Sequence, residues 1–329
     1  MAITQTAITA HGEDIQQITL SRGGLTAKIV TAGAAVQDLR LQGHSHPLVL
    51  GYENFLDYQD NKACMGAIAG RFANRIGGGA IQVDGQTYQL DRNWLGRHTL
   101  HGGSDGLQYQ NWRVTEVSEH QVVLTVVLRD GHMGFPGNLE IHCTYTLLDN
   151  ASLDILLTAT TDQPTVCGLA SHCYFNLDGR AQIDDHKVQV LTPYALEYDA
   201  DHIPTGHVVD IIGSERDLQT PRYLVDSLLD TNYCLPDSNQ SELPEVAFVT
   251  TSGAGPNLTV ATDQPGLQIY NAPEFCLENS GLDGRSYGGF AGLAIEPQNW
   301  PDAPSHAQFP NAILRPGETY ENHSQFKFT

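Results

Sequence analysis

The chain has 329 residues, and its 38 Asp and Glu against 17 Lys and Arg give a formal net charge of −21. A surface with that charge repels phosphate backbones and anionic lipid, so we expect neither nucleic-acid nor membrane partners. The first residues lack the basic start and apolar core of a secretory signal, and no apolar run approaches the ~18 residues of a membrane span. We therefore expect a cytoplasmic protein, and since no linker-like composition divides the chain, a single domain over residues 1–329.

Strand-like alternation of apolar and polar residues dominates the chain. Residues 139–147 place apolar side chains on one face and polar side chains on the other, which is typical of a half-buried antiparallel strand. Similar runs occur at residues 112–117, 122–128, 153–159, 188–191, 257–261, 267–270 and 293–295. Only residues 55–59 and 223–229 resemble short helices, and the polar stretch 236–257 resembles a long loop. The pattern predicts an all-β fold, a large antiparallel β-sandwich with a few short helices.

A glycine-rich segment over residues 70–80 carries two of the few cations of the chain, Arg71 and Arg75. No Lys-Ser/Thr pair follows its glycines, so the segment is not a phosphate-binding loop. The glycines instead indicate tight turns where the backbone passes close to a ligand or to another strand. For at least one of the two arginines we expect an ion pair with a carboxylate.

Two of the 14 histidines, His101 and His172, are candidates for proton transfer. Each lies beside glycine or aromatic residues at the edge of a predicted strand or loop, and imidazole suits proton transfer near neutral pH. No His-Glu-x-x-His cluster or Cys-x-x-Cys pair is present, so we expect no metal site and six free thiols. Asp230, at the start of a strand-like piece, either caps a turn or accepts a hydrogen bond from a ligand hydroxyl.

Near the C-terminus an apolar run ends at Glu296, directly before Pro297. The proline disfavours helical backbone for the residue that precedes it, so the carboxylate is fixed at the end of a rigid strand and is a candidate catalytic base. Trp300 and Phe309 supply aromatic surface of the kind that packs against a sugar ring or lines a ligand pocket. A solvated turn rich in Pro and Asp is the alternative interpretation of these residues.

Taken together and in order, these segments resemble the aldose 1-epimerases, the galactose mutarotase family. The resemblance covers nearly the whole chain. It rests on residues 33–39, 50–53, 70–76, 100–103, 134–137, 172–177, 267–270, 296–298, 309–310 and 314–320.

The resemblance implies the large β-sandwich of that family, and the interconversion of α and β anomers of a free aldose, such as galactose or glucose, without cofactor or metal. Glu296 matches the general base of the family, His172 its general acid and His101 a second active-site histidine. Arg71 and Asp230 match residues that hold sugar hydroxyls, and Asn74 and Gln298 lie in the same motifs. The implied partner is a monosaccharide, and the implied assembly is a monomer or a homodimer.

The implied acid–base pair needs one ionised carboxylate and one protonated imidazole. With reference pKa values of about 4.3 for Glu and about 6.5 for His, that combination is populated between the two values, and the pair predicts a bell-shaped pH profile.

Three other functions remain as alternatives: a catalytically silent sugar-binding protein on the same fold, a hexose 6-phosphate mutarotase and a glycosidase. A phosphorylated substrate favours a cluster of cations, whereas the chain has only four lysines. A glycosidase needs two catalytic carboxylates, whereas one partner here is a histidine.

Overall fold

A computed structural model describes residues 3–8, 14–224, 228–236, 242–253 and 255–329. Numbered in chain order, its strands are β1 Ile3–Ile8, β2 Asp14–Arg22, β3 Leu25–Val30, β4 Ala35–Leu41, β5 Ile68–Ala69, β6 Arg75–Ile76, β7 Ala80–Val83, β8 Gln86–Gln89, β9 Thr99–Leu100, β10 Arg113–Val117, β11 Gln121–Leu128, β12 Leu139–Leu148, β13 Ser152–Thr161, β14 Thr165–Val166, β15 Ala170–Ser171, β16 Tyr174–Phe175, β17 His186–Val190, β18 Tyr194–Tyr198, β19 Pro204–Asp210, β20 Arg222–Tyr223, β21 Asp230–Cys234, β22 Glu245–Thr251, β23 Leu258–Thr262, β24 Gly266–Tyr270, β25 Leu293–Gln298, β26 Ile313–Leu314 and β27 Tyr320–Phe328. The helices are short 3-10 turns at Phe55–Asp60, Gly77–Gly79, Leu107–Tyr109, His132–Gly134, Leu282–Gly284 and Ala303–Ser305.

Two large antiparallel sheets dominate the fold. The nine-stranded sheet has the order β10-β11-β12-β13-β27-β23-β22-β17-β20, and the six-stranded sheet has the order β16-β25-β24-β21-β18-β19. A four-stranded meander, β1-β2-β3-β4, and four two-stranded pairs complete the described sheets. The predicted all-β fold is confirmed.

The main core lies between the two large sheets. The inward face of the six-stranded sheet contributes Tyr233, Leu267 and Ile295, which are buried in one apolar cluster with side chains of the nine-stranded sheet such as Phe326. At the contact, the rings of Phe175 and Phe326 stack with centroids 5.1 Å apart. Because side chains alternate along a strand, this packing turns the other face of β21, β24 and β25 away from the core.

Two local predictions are wrong. The strand β22 lies inside residues 236–257, which were predicted to form a loop, because the flanking Pro, Ser and Gly residues obscured a short apolar run. At the predicted helix over residues 223–229 the chain starts in strand β20, and residues 225–227 lie outside the described residues. The short helix predicted at residues 55–59 is present as the 3-10 turn Phe55–Asp60.

Candidate active site

The outward face of the six-stranded sheet carries polar side chains. They form rows across the strands, because directly paired residues of neighbouring strands share a face. One row runs across β21, β24 and β25 as Asn232, Gln268 and Glu296. In the next row Asp230 pairs with Tyr270. The register therefore brings the side chains of Asp230, Gln268 and Glu296 to one part of the surface, although 66 positions separate the two acids in the sequence.

Glu296 and His172 form the centre of the site. His172 Nε2 lies 3.5 Å from Glu296 Oε1, and the two side chains are only 6% and 2% exposed. The backbone of His172 pairs with the neighbouring segment, donating from its N–H to Ala67 O at 2.9 Å and accepting from Gly66 N–H at 3.0 Å. Its ring lies between those of His101 and Tyr174, at centroid distances of 5.2 and 5.0 Å. These contacts fix the imidazole against the carboxylate.

His101 is oriented by Asn74. The backbone N–H of Asn74 donates to His101 Nδ1 at 3.2 Å, and the backbone N–H of His101 donates to Asn74 O at 3.0 Å. A neutral His101 whose Nδ1 accepts a hydrogen bond carries its proton on Nε2, where it is a donor. The following Gly102 has φ +82°, and a Cβ there would lie 2.1 Å from Gly70 O. Only glycine therefore lets the His101 loop lie so close to the Gly70 backbone.

Asp230 is the acceptor of a small polar network at the same site. Arg75 Nη2 donates to its Oδ2 at 2.9 Å, and Gln268 Nε2 donates to its Oδ1 at 2.5 Å. The Arg75 guanidinium also lies over the ring of Trp94, 4.9 Å from the centroid. Sequence reasoning assigned neither Arg75 nor Gln268 to the site, although both lie in motifs that carried the family resemblance.

The expectation for Arg71 requires a correction, because its side chain does not line the pocket. Arg71 is 1% exposed and points into the protein, where its Nη1 donates to Pro136 O at 2.7 Å, to Gly137 O at 2.9 Å and to Thr165 Oγ1 at 3.1 Å. Burial lowers the pKa of Arg71 to about 10. The arginine at the pocket is Arg75, four positions further along.

The expectations for Gln298 and for Trp300 and Phe309 also require correction, because these side chains do not line the pocket either. Gln298 lies one row beyond Glu296 on the same face, opposite Gly266, but it is completely buried and does not line the pocket. Trp300 and Phe309 pack edge to face at 5.0 Å within a separate apolar cluster, and Trp300 Nε1 donates to Pro265 O at 2.7 Å. The aromatic residues that line the pocket are instead Trp94, Tyr174, Tyr270 and Phe275.

Burial shifts the pKa values of the central pair in opposite directions. It raises the pKa of Glu296 well above its usual range, Asp230 raises it further, and Arg75 opposes the shift. It lowers the pKa of His172 to about 4, against smaller upward contributions from a backbone hydrogen bond and Asp230. Burial also lowers the pKa of His101 well below its usual value, with further lowering by His172 and Arg75.

These shifts favour a pair that carries a single proton. A second proton on Glu296 and His172 leaves a buried positive charge, and removal of the last proton leaves a buried negative charge. The singly protonated pair is therefore stable over a wider pH range than the reference pKa values of the two side chains indicate.

The pocket above the pair has a volume of about 730 Å³. That volume lies within the usual range of about 300–1,000 Å³ for small-molecule sites. Its lining brings together Asn74, Arg75, His101, His172 and Asp230 beside Glu296. Within the described ranges, no group of three or more His, Cys, Asp or Glu side chains is arranged to hold a metal ion. Within the same residues, no helix is long and apolar enough to cross a membrane.

The sequence profile of the family described as aldose 1-epimerase matches residues 16–327. The chain belongs to the aldose 1-epimerase family. Its relatives include the galactose mutarotase of Homo sapiens, 34% identical over 330 residues that cover 97% of this chain and 95% of that protein. The aldose 1-epimerase of Escherichia coli strain K12 is 29% identical over 340 residues, which cover 98% of this chain and 97% of that protein.

Solved structures of aldose 1-epimerases share the fold. A GalM/aldose epimerase homologue from C. elegans has a TM-score of 0.89 and 29% identity, with 95% of this chain and 98% of that chain covered. The galactose 1-epimerase of Lactobacillus acidophilus NCFM has a TM-score of 0.86 and 26% identity, with 100% and 98% covered. The family membership makes this aldose 1-epimerase an isomerase that interconverts the anomers of aldoses.

Proposed function

We propose that the protein interconverts the α and β anomers of free D-galactose, with Glu296 as the base and His172 as the acid. The observation that carries the proposal is the buried His172–Glu296 pair, with 3.5 Å between Nε2 and Oε1, at a pocket lined by neutral and charged hydrogen-bonding groups. The sugar is proposed from the names of relatives such as the human galactose mutarotase.

The pair supplies both proton transfers that mutarotation needs. Glu296 removes the proton of the C1 hydroxyl while the C1–O5 bond breaks, and its electron pair goes to O5, which takes a proton from His172. The product is the open-chain aldehyde, with its carbonyl between C1 and O1. After rotation about the C1–C2 bond, O5 attacks the other face of C1, its proton returns to His172, and Glu296 returns a proton to O1. No atom is gained or lost, and no oxidation occurs.

Arg75 favours the charge distribution that this direction of transfer requires. Burial alone favours neutral Glu296 and neutral His172, whereas the mechanism begins from the carboxylate and the imidazolium, which together hold the same single proton. The negative charge of Asp230 raises the pKa of Glu296 as well as that of His172, whereas the positive charge of Arg75 lowers the pKa of Glu296 and so favours its carboxylate form. Substrate hydroxyls that donate to Glu296 add to this effect, because a hydrogen bond to the carboxylate favours its charged form.

The remaining polar groups hold the sugar. The neutral His101 ring carries its proton on Nε2 and donates it to a sugar oxygen beside His172, because its Nδ1 is occupied by the backbone of Asn74. Asp230, which is 22% exposed, accepts from a sugar hydroxyl, and Arg75 donates to one. Arg75 thus has the hydroxyl-binding role that the family resemblance implied for Arg71.

A phosphorylated sugar is not favoured by the charges at the pocket. Among its described lining residues, the lysine and arginine side chains are Lys62 and Arg75. Both are already paired with carboxylates, Lys62 with Asp60 at 3.1 Å and Arg75 with Asp230 at 2.9 Å. A phosphate therefore finds no free cation cluster in this part of the protein.

Polarimetry of freshly dissolved α-D-galactose tests the proposal. The wild type should accelerate the approach to anomeric equilibrium, and Glu296→Gln and His172→Asn should each lower kcat by at least about 100-fold, the usual scale of general acid–base catalysis. Glu274→Gln, the same substitution at an exposed carboxylate of the pocket rim, is the matched control and should leave kcat unchanged. A wild-type protein that fails to accelerate mutarotation would refute the proposed function.

A further inference from the structure

A third histidine, His202, lines the pocket on the side of Asp230. Its Nε2 lies 3.1 Å from the backbone oxygen of Asp230 and 3.3 Å from Oδ2 of the same residue. The side chain is 43% exposed, so the ring contacts Asp230 and also remains accessible to a ligand. The proton-transfer pair described above does not use it.

The His202 ring is held in place before any ligand binds. It stacks on the ring of Tyr198 with centroids 5.0 Å apart and an interplanar angle of 14°. Its loop is fixed by Asp199, whose Oδ1 accepts from the backbone N–H groups of Asp201 and Ile203 at 2.9 Å each. His202 itself has φ +62°, a conformation that is uncommon for a residue other than glycine. Such local conformations persist where the surrounding contacts enforce them.

The same loop is fastened to a turn that precedes β9. Asp201 pairs with Arg97, and His98 Nε2 lies 3.2 Å from Asp201 Oδ2. Arg97 and His98 belong to the tight turn in which Trp94 and His98 exchange backbone hydrogen bonds at 3.0 and 2.9 Å. The ring of His202 is therefore part of a fixed wall of the pocket, and a ligand meets it in a defined position.

The charged and polar groups that face His202 define what it can bind. Asp230 already accepts from Gln268 Nε2 on Oδ1 and from Arg75 Nη2 on Oδ2. A sugar hydroxyl that donates to Oδ2 at about 2.8 Å lies next to the imidazole, because His202 Nε2 is 3.3 Å from that oxygen. Because Nε2 also lies 3.1 Å from the Asp230 backbone oxygen, its N–H is donated to Asp230. A hydroxyl at this position is therefore offered Oδ2 as an acceptor and Nδ1 of the same ring as a second hydrogen-bonding atom.

That hydroxyl is remote from the reacting carbon. Asp230 lies on β21 and Glu296 on β25, with β24 between them. Two strand spacings separate the two backbones by about 10 Å. A pyranose whose anomeric carbon faces Glu296 therefore presents the hydroxyls of its far side to Asp230 and His202, and these are the hydroxyls by which aldoses differ.

We propose that His202 is a specificity-determining residue, which together with Asp230 binds one ring or exocyclic hydroxyl of an aldopyranose remote from C1. The proposal rests on the proposed function for the identity of the ligand. It extends that function by naming the residue pair that selects among aldoses, and it requires His202 to act on the substrate directly.

Calorimetric titration in a Glu296→Gln background tests the proposal, because binding is then measured without turnover. The ligands are D-galactose, its C4 epimer D-glucose, 3-deoxy-D-galactose and 6-deoxy-D-galactose, which together probe the hydroxyls at C3, C4 and C6. We expect His202→Ala to weaken D-galactose binding by about 5- to 10-fold, the scale of one hydrogen bond. The weakening should disappear for the one analogue in which the contacted hydroxyl is missing or inverted. His202→Gln, whose amide keeps both a donor and an acceptor, should restore part of the affinity.

His207 provides a matched control, because it lies in the adjoining strand β19, is 75% exposed and pairs with Glu197 outside the pocket lining. His207→Ala should bind all four sugars as the parent does. Any one of three results would overturn the proposal. These are equal affinity with and without the His202 side chain, the same loss of affinity for every sugar, and no binding of any of the four sugars to the parent protein. In the active enzyme His202→Ala should raise KM and leave kcat unchanged. If the wild type fails in polarimetry while the calorimetric pattern holds, the catalytic function fails and the His202 assignment stands.

Discussion

Substitution of the two arginines four positions apart, Arg71 and Arg75, should produce opposite phenotypes. Arg71→Met removes a buried guanidinium that donates to three oxygens within 3.1 Å, those of Pro136, Gly137 and Thr165. At about 1 kcal/mol net for each hydrogen bond, the free energy of unfolding should fall by about 3 kcal/mol. For 329 residues the entropy of unfolding is about 0.7 kcal/mol/K, so Tm should fall by about 4 °C.

Arg75→Met should instead impair activity. It removes the charged donor of Asp230, which is 2.9 Å away, together with the contact over Trp94. A hydrogen bond to a charged group contributes about 1.5–3 kcal/mol, which corresponds to a loss of about 10- to 150-fold in kcat/KM. Thermal unfolding and polarimetry of both variants test whether Arg71→Met loses stability and Arg75→Met loses activity. Each variant is the control for the other. A stable Arg71→Met protein with kcat/KM reduced 10-fold or more would refute the assignment of Arg75 to the pocket role.

Three further predictions concern pH. The wild-type profile of kcat/KM should be flat upward from about pH 5, because the pKa of His172 is lowered to about 4, and its alkaline limb should follow the raised pKa of Glu296. A narrow optimum between about 4.3 and 6.5 would contradict the burial argument. Asp230→Asn should move both limbs of that profile to lower pH, because the Asp230 charge raises both pKa values; an upward shift of either limb would be inconsistent with this cause. His172→Asn should lose less stability than the wild type in denaturant titrations as pH falls from about 7 to 4. The reason is that the pKa of His172 is about 4 in the folded state and about 6.5 in the unfolded state. Between these values protons bind the unfolded state preferentially, which lowers the free energy of unfolding of the wild type by up to about 3 kcal/mol. Equal losses would show that His172 is not buried in its neutral form.

The strands of the sandwich were predictable because burial on one face leaves a period-two pattern in the sequence. Residues 139–147 show that pattern, and they form most of β12, which lies between β11 and β13 in the nine-stranded sheet. A strand that carries Glu296 was predictable for a related reason, since an apolar run leads to this carboxylate and the proline that follows disfavours helical backbone. The alternative of a solvated turn is wrong, because Glu296 is 2% exposed within β25, which continues to Gln298. Strand β16 pairs with β25 only at residues 293 and 294. Pro297 therefore has no paired strand on the β16 side of β25, where its missing N–H would otherwise interrupt a ladder of hydrogen bonds.

The identity of the pocket arginine was not predictable from local pattern. Arg71 and Arg75 flank Asn74, whose φ of +63° redirects the chain, so the two side chains leave the segment towards different parts of the protein. Gln298 was a candidate because it lies in the family motif that contains Glu296. In the structure it shares the face of Glu296, but the extent of the pocket along that face depends on packing from distant segments. His202 reaches Asp230 only through the pairing of β18 with β21, a contact between residues that no local motif records.

The central claim is that His172 and Glu296 act as one proton-transfer unit. Exchange spectroscopy by NMR measures it directly, because the anomeric signals of D-galactose at equilibrium report the rate of α to β conversion without a starting excess of either anomer. The wild type should accelerate the exchange, Glu296→Gln and His172→Asn should each lower it by at least about 100-fold, and the double variant should be no slower than the slower single variant. A double variant whose loss equals the product of the two single losses would contradict the shared unit, as would a single variant that retains the wild-type exchange rate.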